Sequence, residues 1–333
     1  MCNECVEVCP KNAISITSNI EISGACDLCG LCVAACPNGV FVDQRTQDLW
    51  KDLQEYGARV SVACHAVADC EERDGVVVPC VGVVTLECLL LASVVGGVRR
   101  VDVTHGDCDR CERRKGRSMF IRAVQQATSL LGDVELLTVN LRMAQGECRP
   151  LSRFAGLYRR EILSLLTRPL FSLRKTASDV NERRLALISA LGRLQSKVSL
   201  FSLEALFSEV DVSDRCTGCP ICEAVCPTGA LVRTVTPECI TLRFDFRFCT
   251  NCKNCVVACP ECAITTKNRS LTNEVMRNLI RDETEKPVPM WHTIALVKTH
   301  SCPSCGGITP ARYDVCLACQ GKRPTDSVVI IER

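Results

Sequence analysis

The spacing of the cysteines constrains this chain more than any other feature. Cys26, Cys29, Cys32 and Cys36, followed by Pro37, read C-x2-C-x2-C-x3-C-P. The same order recurs at Cys216, Cys219, Cys222, Cys226 and Pro227, and at Cys249, Cys252, Cys255, Cys259 and Pro260. Cys2, Cys5, Cys9 and Pro10 repeat it without the first member. The runs come as two pairs, one at each end of a long middle region, so an internal repeat governs the architecture.

Cysteine makes up 28 of the 333 residues. In a short secreted chain that density implies a disulfide scaffold, but thiols grouped two and three residues apart suit a shared metal better than long-range staples. The chain reads as an intracellular, cytoplasmic metalloprotein. Ligand-type cysteines beginning at Cys2 leave no room for the apolar core of a signal peptide. Charge is almost balanced, 40 Lys+Arg against 38 Asp+Glu, and aromatics are only 4%. Neither a basic nucleic-acid binder nor a base-stacking platform fits. Val76 to Val98 is long enough to span a bilayer, yet Pro79 and Gly82 interrupt it. Glu87 near its centre costs roughly 3 kcal/mol on insertion scales. It is expected to be a buried strand followed by a buried helix ending at Gly96-Gly97.

Three cysteines three apart lie on a tight loop and aim three thiolates at three corners of a cubane. The fourth, before proline, points away toward a second cubane. These residues strongly resemble the bacterial two-[4Fe-4S] ferredoxin family over about 1–43 and 210–268. The resemblance implies cross-ligation: Cys216, Cys219, Cys222 and Cys259 for one cluster, and Cys249, Cys252, Cys255 and Cys226 for another. It likewise implies Cys26, Cys29, Cys32 and Cys9 for a third, and leaves Cys2, Cys5 and Cys36 for a fourth. That fourth set lacks one ligand, whose place falls before Met1. A start truncated relative to the family is the reading adopted, with a three-iron cluster or a non-protein ligand as alternatives. Cys255-x3-Cys259-x2-Cys262 matches the radical SAM spacing, but two of its members already belong to the ferredoxin motif. Cys262 and Cys239 are expected to be packing or near-cluster residues.

Between the pairs, residues 58–140 alternate β-branched runs with helical patterns. Strands are expected at Arg59–Ala63, Val76–Val78, Arg99–Thr104 and Val134–Val139, with helices through Leu86–Val95 and Arg117–Leu131. Such alternation predicts a small parallel α/β unit. Cys64 closes the first strand, Cys80 the second, and Cys108 and Cys111 follow the third. Ligands gather at the carboxyl ends of strands in open α/β sheets, so these four thiols could hold a [2Fe-2S] cluster or a zinc ion. The pattern is loosely similar to the iron-sulfur delta-subunit family of methyl-viologen-reducing hydrogenases, which implies electron passage into heterodisulfide-reductase-type complexes. Cys88, within the apolar helix, reads as core. His65 and His105 read as hydrogen-bonding neighbours of the ligands.

Residues 149–208 read as all-helical, and 149–200 carry 11 Lys+Arg against 3 Asp+Glu. Pairs such as Arg183-Arg184 are expected on a solvated basic face, with peripheral membrane contact as the alternative. Cys302, Cys305, Cys316 and Cys319 form C-x2-C-x10-C-x2-C, which resembles a zinc ribbon; mononuclear iron is the rival occupant.

The expected organisation is α+β and multidomain. A ferredoxin module (1–45) is followed by an α/β unit (56–146) and an Arg-rich helical segment (147–209). A second ferredoxin module (210–269), a connector (270–299) and a ribbon-like tail (300–333) complete it. No dinucleotide fingerprint, P-loop or flavin signature is apparent. The expected function is therefore single-electron transfer to or from a partner oxidoreductase: a hydrogenase, a molybdopterin enzyme or a heterodisulfide-reductase-like complex. An enzyme using the three-thiolate cluster or the middle site, and a cluster-based redox sensor, are the alternatives.

Overall fold

The computed structural model describes residues 2–17, 19–41, 44–67, 75–131, 137–144, 182–194, 206–269, 290–316 and 318–321. Helices and sheets are mixed in several units that pack against one another. Most of 149–208, expected to be helical, and the first part of the connector lie outside the described residues.

The N-terminal region begins with a short helix α1 (Glu4–Val8). An antiparallel hairpin of β1 (Ile14–Ile16) and β2 (Ile20–Ile22) follows, then α2 (Leu31–Ala35). Both helices are one turn long and stop at Cys9 and Cys36, whose extended backbone leads into the following proline. Proline disfavours helix in the residue before it. Ile14, Val33, Phe41 and the thiols of Cys5 and Cys36 form a small core of their own.

After α3 (Gln44–Glu55) comes a doubly covered sheet. Its elements are β3 (Arg59–Cys64), β4 (Val76–Val78), α4 (Leu86–Val94), β5 (Arg100–His105), α5 (Lys115–Leu131) and β6 (Thr138–Met143). The order is β4-β3-β5-β6 and every pair is parallel, with Arg59 opposite Arg100 and Cys64 opposite Val78. Near-continuous apolar strands are what a sheet buried on both faces requires, and Val101 and Val103 of β5 are fully buried. Each such side chain contributes about 1.5–3 kcal/mol. The apolar stretch 76–98 resolves into β4, a single 3-10 turn at Val81–Val83, and α4, whose N-cap Thr85 accepts from the Cys88 amide. Gly97, at φ 73°, ends it. The described part of the last strand runs from Thr138 and pairs one for one with Arg100–His105, while Val134, where the strand was expected to start, lies outside the described residues. Among the described residues no helix is long and apolar enough to cross a membrane.

Helix α6 (Glu182–Arg193) packs on α4 through Leu187, Ala190 and Leu191, which are buried in the same core. The C-terminal cysteine-rich region follows: β7 (Ser208–Val212), α7 (Ile221–Ala224), β8 (Leu231–Val235), β9 (Cys239–Phe244), α8 (Asn254–Val257) and β10 (Ile264–Asn268). β7 and β10 pair antiparallel and close the region on itself. β8 and β9 form a hairpin that β11 (His292–Ser301) and β12 (Ile308–Pro310) extend into a four-stranded antiparallel sheet. One apolar core runs from Val8 and Leu31 through the parallel sheet and α6 to Phe207, Phe244 and Phe246.

Candidate metal centres

Backbone conformation explains how the cysteine loops wrap. In three runs the residue before the second cysteine is left-handed: Leu28 (φ 54°), Gly218 (φ 66°) and Asn251 (φ 55°). This turn aims main-chain N–H groups inward, and the amides of Gly218 and Asn251 lie 3.4 Å from the sulfurs of Cys216 and Cys249. The third residue after each proline-preceding cysteine is left-handed as well: Asn12, Gly39, Gly229 and Cys262. That second turn folds the chain back over the sulfur. The amides of Ala13, Val40 and Ala263 accordingly sit 3.2, 3.4 and 3.3 Å from Cys9, Cys36 and Cys259. Hydrogen bonds to sulfur of this kind set the potentials of iron-sulfur sites.

The thiols gather across the runs. Burial, then the charges of Cys29, Cys26 and Cys9, push Cys32 up to about 12. Cys5 is raised by burial and by Cys36, with Cys2 adding to it. In the C-terminal region Cys222 rises to about 12 through burial, Cys219 and Cys216, and Cys216 is raised by burial with Cys219 and Cys259 contributing. Cys255 rises to about 12 through burial, Cys249, Cys226 and Cys252. The proline-preceding cysteine of each run thus lies close to a leading cysteine of its partner run. Converging thiols that resist ionisation through burial and mutual repulsion are the donor set a cationic iron centre relieves. Cys216, Cys219, Cys222 and Cys259 line one small hollow, with Arg233 and Ile240 beside them.

The carboxyl edge of the parallel sheet holds Cys64, Cys80, Cys108 and Cys111 around a second small hollow. Burial lifts Cys80 to about 12, with Cys111 and Cys108 adding and the Arg113 guanidinium opposing. Cys108 rises to about 11 through burial and the charge of Cys64. His105 Nδ1 lies 3.4 Å from Cys108 Sγ and 2.6 Å from the Gly106 carbonyl. His65 differs from expectation. It faces Arg113 at 3.2 Å rather than a thiol, and burial, then that guanidinium, lowers its pKa. Cys88 is buried in the core, as its place in the apolar helix implies.

Sequence reasoning missed Arg113. Its guanidinium pairs with Asp27, between Cys26 and Cys29, at 2.8 Å. It also donates to the Pro79 carbonyl at 2.7 Å, next to Cys80. One arginine therefore bridges the N-terminal cysteine loop and the sheet-edge site. Lys11–Glu112 and Lys115 with the Glu7 carbonyl reinforce this seam. A second seam joins the two cysteine-rich regions, where Thr250, beside Cys249, donates to Asn38, two residues past Cys36, at 2.6 Å. Only the contact partners carry these signals, so no single-chain pattern announces them.

At the end of β11 the four sulfurs of Cys302, Cys305, Cys316 and Cys319 lie within 4.8 Å of one another. The Cys316 amide donates to Cys302 Sγ at 3.3 Å, which holds the Cys302 thiol down at about 6. A tetrahedral thiolate site with metal–sulfur bonds near 2.3 Å needs sulfurs about 3.8 Å apart, so the set fits a single ion.

Two expectations are corrected. Cys262 is not a packing residue, although its amide donates to the Cys259 carbonyl within the same loop. It is exposed and takes the left-handed position that Asn or Gly holds in the other runs, its carbonyl accepting from Arg215. Cys239 lies on β9 beside the hydroxyls of Thr236 and Thr241. The solvated basic face also fails at Arg184, which is buried because Phe207 covers it and the Arg247 carbonyl accepts from it.

These features define an iron-sulfur protein of the electron-transfer class. Comparison with known proteins gives the family. A stretch of 54 residues, 16% of this chain, is 39% identical to an uncharacterized ferredoxin of Methanocaldococcus jannaschii and covers 70% of that relative. The chain belongs to the ferredoxin family. No family model matches it, and no solved structure does.

Proposed function

We propose that the chain is a polyferredoxin-type subunit that relays single electrons between a partner oxidoreductase and a second redox centre of its own or of another protein. Two ferredoxin modules, at 1–45 and 210–269, would hold four [4Fe-4S] clusters through the cross-ligated cysteine sets, with Cys2, Cys5 and Cys36 supplying three thiolates to one of them. The unit at 56–146 would hold a [2Fe-2S] cluster on Cys64, Cys80, Cys108 and Cys111, and the tail at 300–333 a structural zinc on Cys302, Cys305, Cys316 and Cys319. Bound there, each cluster supplies a one-electron couple. The chain contributes thiolates, N–H donors and apolar walls, and through its seams keeps neighbouring sites in a fixed order.

The observation that carries this reading is that order. The Cys216 set shares its module with the Cys249 set. The Cys249 set meets the Cys36 loop at Thr250–Asn38, and the Cys29 loop meets Cys80 at Arg113. These contacts support a reading in which the five assigned sites neighbour one another in that order. A partner that performs two-electron chemistry, such as a hydrogenase, a molybdopterin enzyme or a heterodisulfide-reductase-like enzyme, fits one end, because no organic cofactor motif is present to do it here.

Iron, zinc and acid-labile sulfide per chain, measured on anaerobically purified protein, test the assignment. About 18 irons with one zinc are expected from four cubanes, a two-iron centre and the ribbon. About 16 irons with two zincs would remove the sheet-edge site from that series and with it the likeness to the hydrogenase delta subunit.

A further inference from the structure

Arg184 stands out among the buried groups that the ligand sets do not use. It is the third residue of α6, outside both cysteine-rich regions, and is only 8% exposed. Its guanidinium lies over the Phe207 ring at 4.6 Å, and its Nε donates to the Arg247 carbonyl at 2.8 Å. Its Nη2 is buried with no hydrogen-bond partner among the described residues. Neighbouring buried or half-buried arginines are satisfied differently. Arg247 is paired with the buried Asp245 at 2.7 Å, and Arg113 with Asp27. Among the described residues, the anionic groups that act on Arg184 are the Cys249 thiolate and, from α4, Glu87. Burial otherwise drives its pKa down to about 10. A guanidinium with an orphaned donor in such a place costs several kcal/mol unless a strong anion stands beside it.

We propose that Arg184 is the charge partner of the cluster assigned to Cys226, Cys249, Cys252 and Cys255, donating through Nη2 to its sulfur and raising its reduction potential above that of the same cluster without it. The inference rests on the ligand assignment given above. Four thiolates and four sulfides outweigh the iron charge, so the occupied site is anionic, and more so when reduced. A fixed cation favours the reduced form, and charge and hydrogen bonding to sulfur are the levers that set cluster potentials. It also gives α6 a purpose. The helix is anchored on α4 by its apolar face and delivers one buried cation to the module from outside the module's own sequence.

The test is an EPR-monitored potentiometric titration of the anaerobic full-length chain, with iron counted in every sample. In Arg184→Gln and Arg184→Met, iron per chain is expected to stay unchanged while one cluster signal moves to lower potential. Its reduced-to-oxidised ratio at fixed potential should fall about tenfold, or 59 mV for a one-electron couple. The other signals should hold still, and Arg184→Lys should recover most of the shift. The moving signal should be the one that Cys252→Ser alters. Gln keeps a donor for the Arg247 carbonyl and Met fills the same length, so one neutral variant stands in if the other fails to accumulate. Unchanged potentials with full iron would overturn the proposal. So would equal shifts in all signals, or a shift in a signal that Cys252→Ser leaves alone. A wild-type chain short of iron would instead overturn the ligand assignment.

Discussion

Single residues decide how each cysteine loop closes. The third position after every Cys-Pro step is left-handed, and three of the four carry Asn or Gly, which tolerate it. Cys262 occupies the fourth at φ 46°. A non-glycine side chain there costs on the order of 1–2 kcal/mol. Cys262→Asn is therefore expected to stabilise the chain by up to about 1 kcal/mol, read as a higher urea midpoint with iron content unchanged; a lower midpoint would mean the thiol has a role of its own. Arg113 works in the opposite direction. Burial alone would raise the Asp27 carboxyl, but the guanidinium hydrogen-bonded to it holds it below its ordinary value. Arg113→Gln removes that pair and one donor to Pro79, and should cost about 2 kcal/mol. It should also shift the potentials of the two sites it separates, while those of the C-terminal region stay put.

At the scale of elements, the parallel sheet was legible from β-branched runs, because strand alternation follows from chain pattern alone, and the cysteines that end those runs come together at its carboxyl edge. What the pattern left open was the close fit beneath the site. Gly116, on the first turn of α5, leaves no room for a side chain: an added Cβ would sit 2.3 Å from Cys80 Sγ and 3.2 Å from Leu31. Gly→Ala in a helix ordinarily gains up to about 1 kcal/mol. Gly116→Ala is expected to reverse that sign by about 1–3 kcal/mol through overpacking and to lower the iron of the sheet-edge site, measured as the iron-to-zinc ratio. Wild-type metal content in this variant would place Cys80 outside the ligand set.

At the scale of the molecule, one core and two polar seams lock the units together, so the tail should be the separable part. β11 holds six residue pairs with β9, whereas beyond Ser301 the ribbon keeps β12 and its four thiols. Cys316→Ser is expected to abolish zinc binding and expose the tail to protease while every iron is retained. Loss of iron from the same variant would show that the ribbon buttresses the adjacent Cys216 site, where Arg312 donates to the Arg215 carbonyl.

Cysteine spacing alone pointed to iron-sulfur and metal-binding thiol groups, and strand periodicity to the parallel unit, because both are local properties written residue by residue. The basic character of 149–200 was equally plain, yet it misled at Arg184, since charge on a helix says nothing about what covers it. Tertiary structure alone decided that arginine's burial, the bridge at Arg113 and the meeting of Thr250 with Asn38. Each joins residues 86 or more positions apart or depends on an aromatic ring from another element. Such contacts are set by how packed faces come to rest on one another, which no local pattern encodes.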